Sequence, residues 1–268
     1  GGSNPSRSAI NLRCNMKILL TGGSGMVGSF LTPYLKDIHE LKIFDLREPK
    51  YDDVEFVQGS MDNPIDVTEA LKGVDLFINL TMKNPQGGSE TTQNLEDIQN
   101  NYDLNTKGLH TFLYLAQKEG VMRGIHTSTM SVHYRKRLHY PSEELVPKDT
   151  PSVYGLTKGF GEEICNYFCR WFNMNIVSLR LTGPRSDKNW KKEIKNREDK
   201  NPDGSRLWIT HEKDLANAYI ASIDFIQNGH SRFDPIFIAG DPENKEHNLS
   251  KAFHLLQWTP EMNPEDYR

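Results

Sequence analysis

Tyr154 and Lys158 stand four residues apart in Tyr154-Gly155-Leu156-Thr157-Lys158. On a helix, such positions share one face about 6 Å apart. A tyrosine ionises near pH 10 and is no base at neutral pH. Moving that value to about 7 requires roughly 4 kcal/mol at about 1.36 per unit. An ammonium about 4.5 Å away, at an effective dielectric of about 20, supplies roughly that much. The pair could therefore act as a tyrosinate base and its cationic partner.

A second group suits anion binding. In Thr21-Gly22-Gly23-Ser24-Gly25-Met26-Val27-Gly28, glycines recur at 22, 25 and 28. A backbone without Cβ turns sharply and approaches a pyrophosphate closely. Ser24, Met26 and Val27 complete the turn and lead into a helix, whose first N–H groups face the anion. The other reading, a glycine-rich turn without a ligand, is disfavoured because an apolar run precedes the turn and a helical pattern follows it. Asp45 ends the next apolar run, 20 residues after Gly25. Its carboxylate can accept from the ribose hydroxyls of NAD and would repel the 2′-phosphate of NADP. Arg47 could soften that preference. Asp62 is placed to meet the adenine amino group, or is simply an acid at a helix start. Leu80 and Thr81, closing a further run, are assigned to the same cofactor site. A positive nicotinamide ring would further favour a tyrosinate at Tyr154.

The elements that must position these groups follow from hydropathy patterning. Short apolar runs cover Lys17–Thr21, Leu41–Asp45, Val54–Val57, Asp75–Leu80, Gly124–Ser128 and Asn175–Leu181. Helical stretches lie between several of them: from the glycine turn to about Lys36, from about Asn94 to Glu119, and over about Val153–Phe172. Alternation of this kind predicts βαβ units and an α/β fold, a Rossmann-type doubly wound parallel sheet. After Gly183-Pro184 the texture changes. Ser186–Ser205 is dominated by interleaved Lys, Arg, Glu and Asp and reads as a solvated loop. A helix near Lys213–Gln227, a run Pro235–Ala239 and a helix near Leu249–Gln257 follow. The expected organisation is a flexible extension over 1–15 and a dinucleotide-binding domain over 16–182. Residues 183–268 then form a small substrate-binding region, with later segments returning to the core.

A chain of 268 residues with formal net charge −4 suits one α/β domain and argues against a nucleic-acid surface. No apolar run spans a bilayer, so a cytoplasmic location without membrane contact is expected. A small-molecule substrate and a homodimer are the expected partners. Cys14, Cys165 and Cys169 make no disulfide framework. Cys165 and Cys169 would share a helix face, but no further ligand has metal-site spacing, and no metal is expected.

These motifs together resemble the extended short-chain dehydrogenase/reductase superfamily, the NAD-dependent epimerase/dehydratase group, from about Met16 onward. The resemblance implies that Thr129, with Ser128 as alternate, hydrogen-bonds the substrate oxygen, and that Tyr154 and Lys158 are the base and its partner. It also implies that Asn105 joins a water-mediated relay to Lys158. Asn105 lies within the apolar stripe Ile98, Tyr102, Leu109, Phe112 and Ala116, so a satisfied core amide is the competing reading.

Within the group, the segments from Tyr154 to Glu162, Trp208 to His211 and Leu256 to Pro260 are similar to uronate dehydrogenases. That similarity makes Arg180 the candidate carboxylate clamp. Thr182, Arg185, Trp208 and His211 are then candidates for lining the same pocket. Met130-Ser131 departs from the Asn-His pair of those enzymes.

Three functions compete. The first is NAD-dependent hydride transfer from a sugar or sugar-acid hydroxyl. The second is nucleotide-sugar epimerisation, for which the roughly 85 residues after Gly183 leave little to grip a nucleoside diphosphate. The third is a non-catalytic NAD-binding sensor, disfavoured because Thr129, Tyr154 and Lys158 are all present.

Overall fold

Seven strands form one parallel sheet in the order β3-β2-β1-β4-β5-β6-β9 in the computed structural model, which describes residues 15–83, 93–196, 208–228 and 232–267. The strands are β1 (Lys17–Thr21), β2 (Glu40–Asp45), β3 (Glu55–Gln58), β4 (Leu76–Asn79), β5 (Arg123–Thr129), β6 (Asn175–Leu181) and β9 (Phe233–Ile238). Strands covered on both faces read as continuous apolar runs, which is why Lys17-Ile18-Leu19-Leu20-Thr21 carries no alternation. Ile18 and Leu20 pack into one core with Leu31, Leu35, Tyr219 and Leu256. Leu19 packs into the other with Val67, Leu71, Phe112 and Phe168. The helices supplying these residues are α1 (Met26–Leu35), α7 (Glu212–Gln227) and α8 (Ser250–Leu256) on one face, and α2 (Pro64–Leu71), α4 (Leu109–Lys118) and α5 (Val153–Phe172) on the other.

The chain runs outward from β1 through β2 to β3, then returns to the other side of β1 as β4. The crevice outside the carboxyl ends of β1 and β4 is the switch point where ligands bind in open α/β sheets. The α/β doubly wound expectation holds. The helix α2 has no counterpart in the sequence reading. Its signal was Asn63, whose side chain accepts from the Ile65 N–H, followed by Pro64 in the first turn.

Two expectations need correcting. The long helix expected over 94–119 is broken into α3 (Leu95–Tyr102), a π-helical segment over Asp103–Gly108, and α4. Tyr102, expected within the buried stripe, is exposed. Part of the charged stretch expected as a solvated loop is the helix α6 (Asp187–Asn196). Trp190 and Ile194, one turn apart, bury against Ile209 and supply the apolar face that its many charges hid. The rest of that stretch, 197–205, lies outside the described residues, as do Cys14 and most of the expected N-terminal extension. A two-stranded parallel ribbon, β7 (Pro184–Arg185) with β8 (Thr210–His211), sits beside α6. Among the described residues, no helix is long and apolar enough to cross a membrane.

Candidate active site

The glycine turn lies at the switch point and is tightly packed. Gly22 has φ +70, and a Cβ there would stand 2.9 Å from the Thr81 Cα. A Cβ on Gly28 would collide with the Gly23 carbonyl. Gly25 caps α1 without a side-chain hydrogen bond, so the first N–H groups of the helix keep their capacity for an anion. Asp45 accepts from the backbone N–H of Ser24 and of Arg47, both at 3.1 Å. A carboxylate has about four acceptor sites, so two bonds leave capacity for a ribose diol. Ser24 Oγ donates to the Arg47 carbonyl at 2.7 Å, tying the turn to the end of β2. Met26 is exposed, Val27 half-buried, Leu80 buried and Thr81 half-buried. The Thr81 N–H donates to Asn79 Oδ1 at 3.1 Å. Asp62 is exposed, with Oδ1 facing Gly108 at the end of the π segment. These residues fit a dinucleotide. Calorimetric titration is expected to give tighter binding of NAD than of NADP, with the gap narrowed in Asp45→Ala, which removes the repulsion of a 2′-phosphate.

Tyr154 lies in the first turn of α5, where Ser152 caps the helix by accepting from the Gly155 N–H at 3.0 Å. Gly155 is required there, since a Cβ would collide with the Ser131 carbonyl. The Tyr154 hydroxyl lies 3.7 Å from Met82 Sδ, with Thr129 at the end of β5 close enough to act on its ionisation. Thr129 Oγ1 accepts from the Ser131 N–H at 3.1 Å. Burial pushes the Tyr154 phenol up to about 12, and Thr129 pulls the other way. Burial pushes the Lys158 ammonium down to about 8, against the pull of Cys165 and Glu162. The Lys158 charge acts on Glu162, Cys165 and His126.

Asn105 sits in the π segment and is buried. Single π turns often mark functional positions. Asn105 Nδ2 donates to Asn101 Oδ1 at 3.1 Å and to Thr157 Oγ1 at 3.0 Å. The second bond joins it to the residue before Lys158.

Arg180 is not open to a substrate carboxylate. It is 1% exposed, and Nε and Nη2 bind the two oxygens of Glu162 at 2.8 and 2.6 Å. Nη1 donates to the Glu143 carbonyl at 3.0 Å and lies 3.1 Å from His133 Nε2. The planar fork is already filled from within the protein, and that corrects the clamp expectation. Ser128 is engaged in the same way, since its hydroxyl donates to Glu162 Oε1 at 2.6 Å. Arg180 is the first cause holding the Glu162 carboxyl down to about 2, against the push of burial. A carboxyl with a depressed folded value stabilises fully above its unfolded value and ceases to as pH falls through the folded one. Glu162→Gln should thus be destabilising at neutral pH. The gap from the parent, of order 3 kcal/mol at about 1.36 per unit, should close as pH falls from about 4.5 toward 2. Urea midpoints of both proteins against pH give this directly.

The remaining pocket candidates divide. Thr182 is buried, its hydroxyl 2.8 Å from that of Thr210. Trp208 Nε1 donates to Glu246 at 2.5 Å. Arg185 pairs with Glu193. Both nitrogens of His211 are engaged, Nε2 by Asp187 at 3.0 Å and Nδ1 by the Lys213 N–H at 3.0 Å. Motif reading missed Met82, Asn79 and His126. The first comes from a loop, and the others look like ordinary interior strand positions.

The switch-point turn and the hydroxyl pair beyond it are those of a short-chain-type dinucleotide enzyme. The sequence pattern described as NAD dependent epimerase/dehydratase family matches residues 18–197, and the chain belongs to that family. NAD is its cofactor. A uronate dehydrogenase of Pseudomonas syringae pv. tomato is 27% identical over 169 residues, covering 62% of this chain and 58% of that protein. A 3-beta-hydroxysteroid dehydrogenase of Mycolicibacterium neoaurum is 32% identical over 121 residues, covering 43% of this chain and 32% of that protein. The chain thus spans less than two thirds of either relative. In fold, it is similar to a UDP-glucuronic acid 4-epimerase from Bacillus cereus solved with NAD. The TM-score is 0.72 at 21% identity, over 94% of this chain and 96% of that one.

Proposed function

We propose that the protein oxidises a hydroxyl of a free sugar or sugar acid with NAD. The observation that carries this is Tyr154, in the first turn of α5, beside Thr129 at the carboxyl end of β5 and 3.7 Å from the sulfur of Met82, the residue after the Thr81 that packs on the glycine turn. An alcohol placed between these hydroxyls can lose its proton to Tyr154 while Thr129 orients the oxygen. Bound NAD supplies the hydride acceptor and the positive charge that the buried phenol needs to become a base. We assign substrate contacts to Thr182, just after β6, and to Trp208 in the region after Gly183. The likeness to uronate dehydrogenase supports an acid substrate, whereas the occupied fork of Arg180 leaves a neutral aldose equally well served.

The test is a panel of aldoses, uronates and UDP-sugars with NAD. A free sugar should give a stoichiometric rise in NADH absorbance. Interconversion of UDP-sugar epimers without net NADH would replace this reading with the epimerase one.

A further inference from the structure

Met82 is the third residue beyond β4, and its sulfur lies 3.7 Å from the hydroxyl of Tyr154, 72 residues along the chain. The residue before it is pinned on the cofactor side. The Thr81 N–H donates to Asn79 Oδ1 at 3.1 Å, and Thr81 Oγ1 donates to Thr21 Oγ1 at 3.0 Å. The thioether therefore reaches from the end of β4 to the first turn of α5. A thioether is a weak acceptor, so the contact holds the phenol proton loosely. The two partners differ in access. Met82 is 39% exposed, whereas Tyr154 is buried.

The chain has eight methionines. Met16, Met61, Met130 and Met174 are buried, and Met122 and Met262 are half-buried. Met26, at the start of α1, is the other exposed one. The two cysteines of α5 do not compete for an oxidant. Burial pushes the Cys169 thiol up to about 12 and the Cys165 thiol well above its ordinary value, and the thiolate is the reactive form. A soft sulfur within reach of solvent is thus set directly on the base.

We propose that Met82 is an oxidative modification site, at which hydrogen peroxide converts the thioether to a sulfoxide that holds the Tyr154 proton in place and switches the enzyme off. The sulfur lone pair attacks one peroxide oxygen, and the O–O bond breaks. The departing hydroxide takes the proton from the oxygen now on sulfur, giving the sulfoxide and one water. Sulfur loses two electrons and the peroxide gains them. The product is a polar group where an apolar one stood, and its oxygen accepts strongly where the thioether accepted weakly. A hydrogen bond given by the neutral phenol favours that form over the ionised one, so Tyr154 ceases to be a base. The sulfoxide oxygen also competes with the substrate hydroxyl for Tyr154. Enzymatic reduction of the sulfoxide restores the thioether, which makes the switch reversible.

The modification does not depend on the sugar-oxidation reading; its effect on turnover rests on that reading. The first measurement needs no substrate. The full chain is treated with hydrogen peroxide, and sulfoxide at each methionine is followed by peptide mass spectrometry. Met82 should oxidise at least about tenfold faster than Met16, Met61, Met130 and Met174. In protein labelled with ¹³C at tyrosine Cζ, and assigned with Tyr154→Phe, the Tyr154 resonance should move as Met82 is oxidised. It should stay still in treated Met82→Leu. Oxidation of Met82 no faster than that of the buried methionines, or a Tyr154 resonance indifferent to full oxidation at Met82, would overturn the proposal even if no sugar were turned over.

The second measurement is kinetic, on whichever free sugar reduces NAD fastest, with each protein compared with its own untreated rate. Peroxide should lower kcat at least about 10²-fold, the lower weight of a general base, in the parent and in Met26→Leu alike. Met82→Leu should hold its own starting rate through the same treatment. Methionine sulfoxide reductases for both epimers should restore the treated parent. An equal loss in Met82→Leu, or a loss that dithiothreitol alone reverses and that belongs to a thiol, would overturn the switch. If Met82→Leu does not fold, the reductase rescue and the Tyr154 resonance of the parent decide.

Discussion

Tyr154→Phe is expected to lower kcat by about 10²- to 10⁴-fold, the usual weight of a general base. At about 1.36 kcal/mol per decade, that is roughly 3 to 5 kcal/mol of barrier. The substitution removes one hydroxyl and little packing. Its neighbours are Thr129 and the Met82 sulfur, and neither is left as a buried charge. Thermal stability and NAD affinity should therefore stay close to the parent, and KM for the sugar should change far less than kcat. Stopped-flow NADH formation together with calorimetric NAD titration separates these quantities. A variant that keeps full activity on a confirmed substrate would remove Tyr154 from the chemistry. Because burial holds the phenol high in this structure, the parent's rate should climb as pH is raised through neutrality, and the variant's residual rate should lose that climb.

Arg180→Met is expected to destabilise the protein by about 3–5 kcal/mol, the cost of removing one partner of a buried ion pair. Glu162 would stay at 0% exposure and keep Ser128 and Lys148, but lose the partner that binds both its oxygens. Adding Glu162→Gln to Arg180→Met should restore part of the loss, because the uncompensated charge goes with it. Denaturant midpoints of the single and double variants measure the coupling. The same geometry sets the kinetic outcome for Arg180→Lys. An ammonium cannot reproduce the two-bond fork, so the variant should be less stable and lose activity equally on acidic and neutral sugars. A loss confined to uronates would return Arg180 to the substrate.

The parallel sheet was legible because each strand is short and apolar and most are separated by helical stretches, a pattern that few folds share. The glycine turn and Asp45 were legible because the cofactor's shape imposes spacing along the chain. Tyr154 and Lys158 were legible because one helix turn sets their separation. Where a side chain of Arg180 points is another matter. It closes β6 in the manner of a residue facing the ligand crevice, yet Glu162, 18 residues earlier on α5, reaches it first. Ion pairing between packed elements depends on how a helix lies across a sheet, and no local spacing encodes that. His126 is the same case. In the sequence it is one polar residue in an apolar strand. Its burial and its neutrality come from its neighbours, Asn79 on the adjacent strand and Lys158 and Glu162 on α5. The sequence by itself determined the fold class, the cofactor turn and the base. Only the tertiary structure decided which polar groups satisfy each other in the interior and which remain for the chemistry, because burial makes every unpaired donor and acceptor a matter of three-dimensional neighbours.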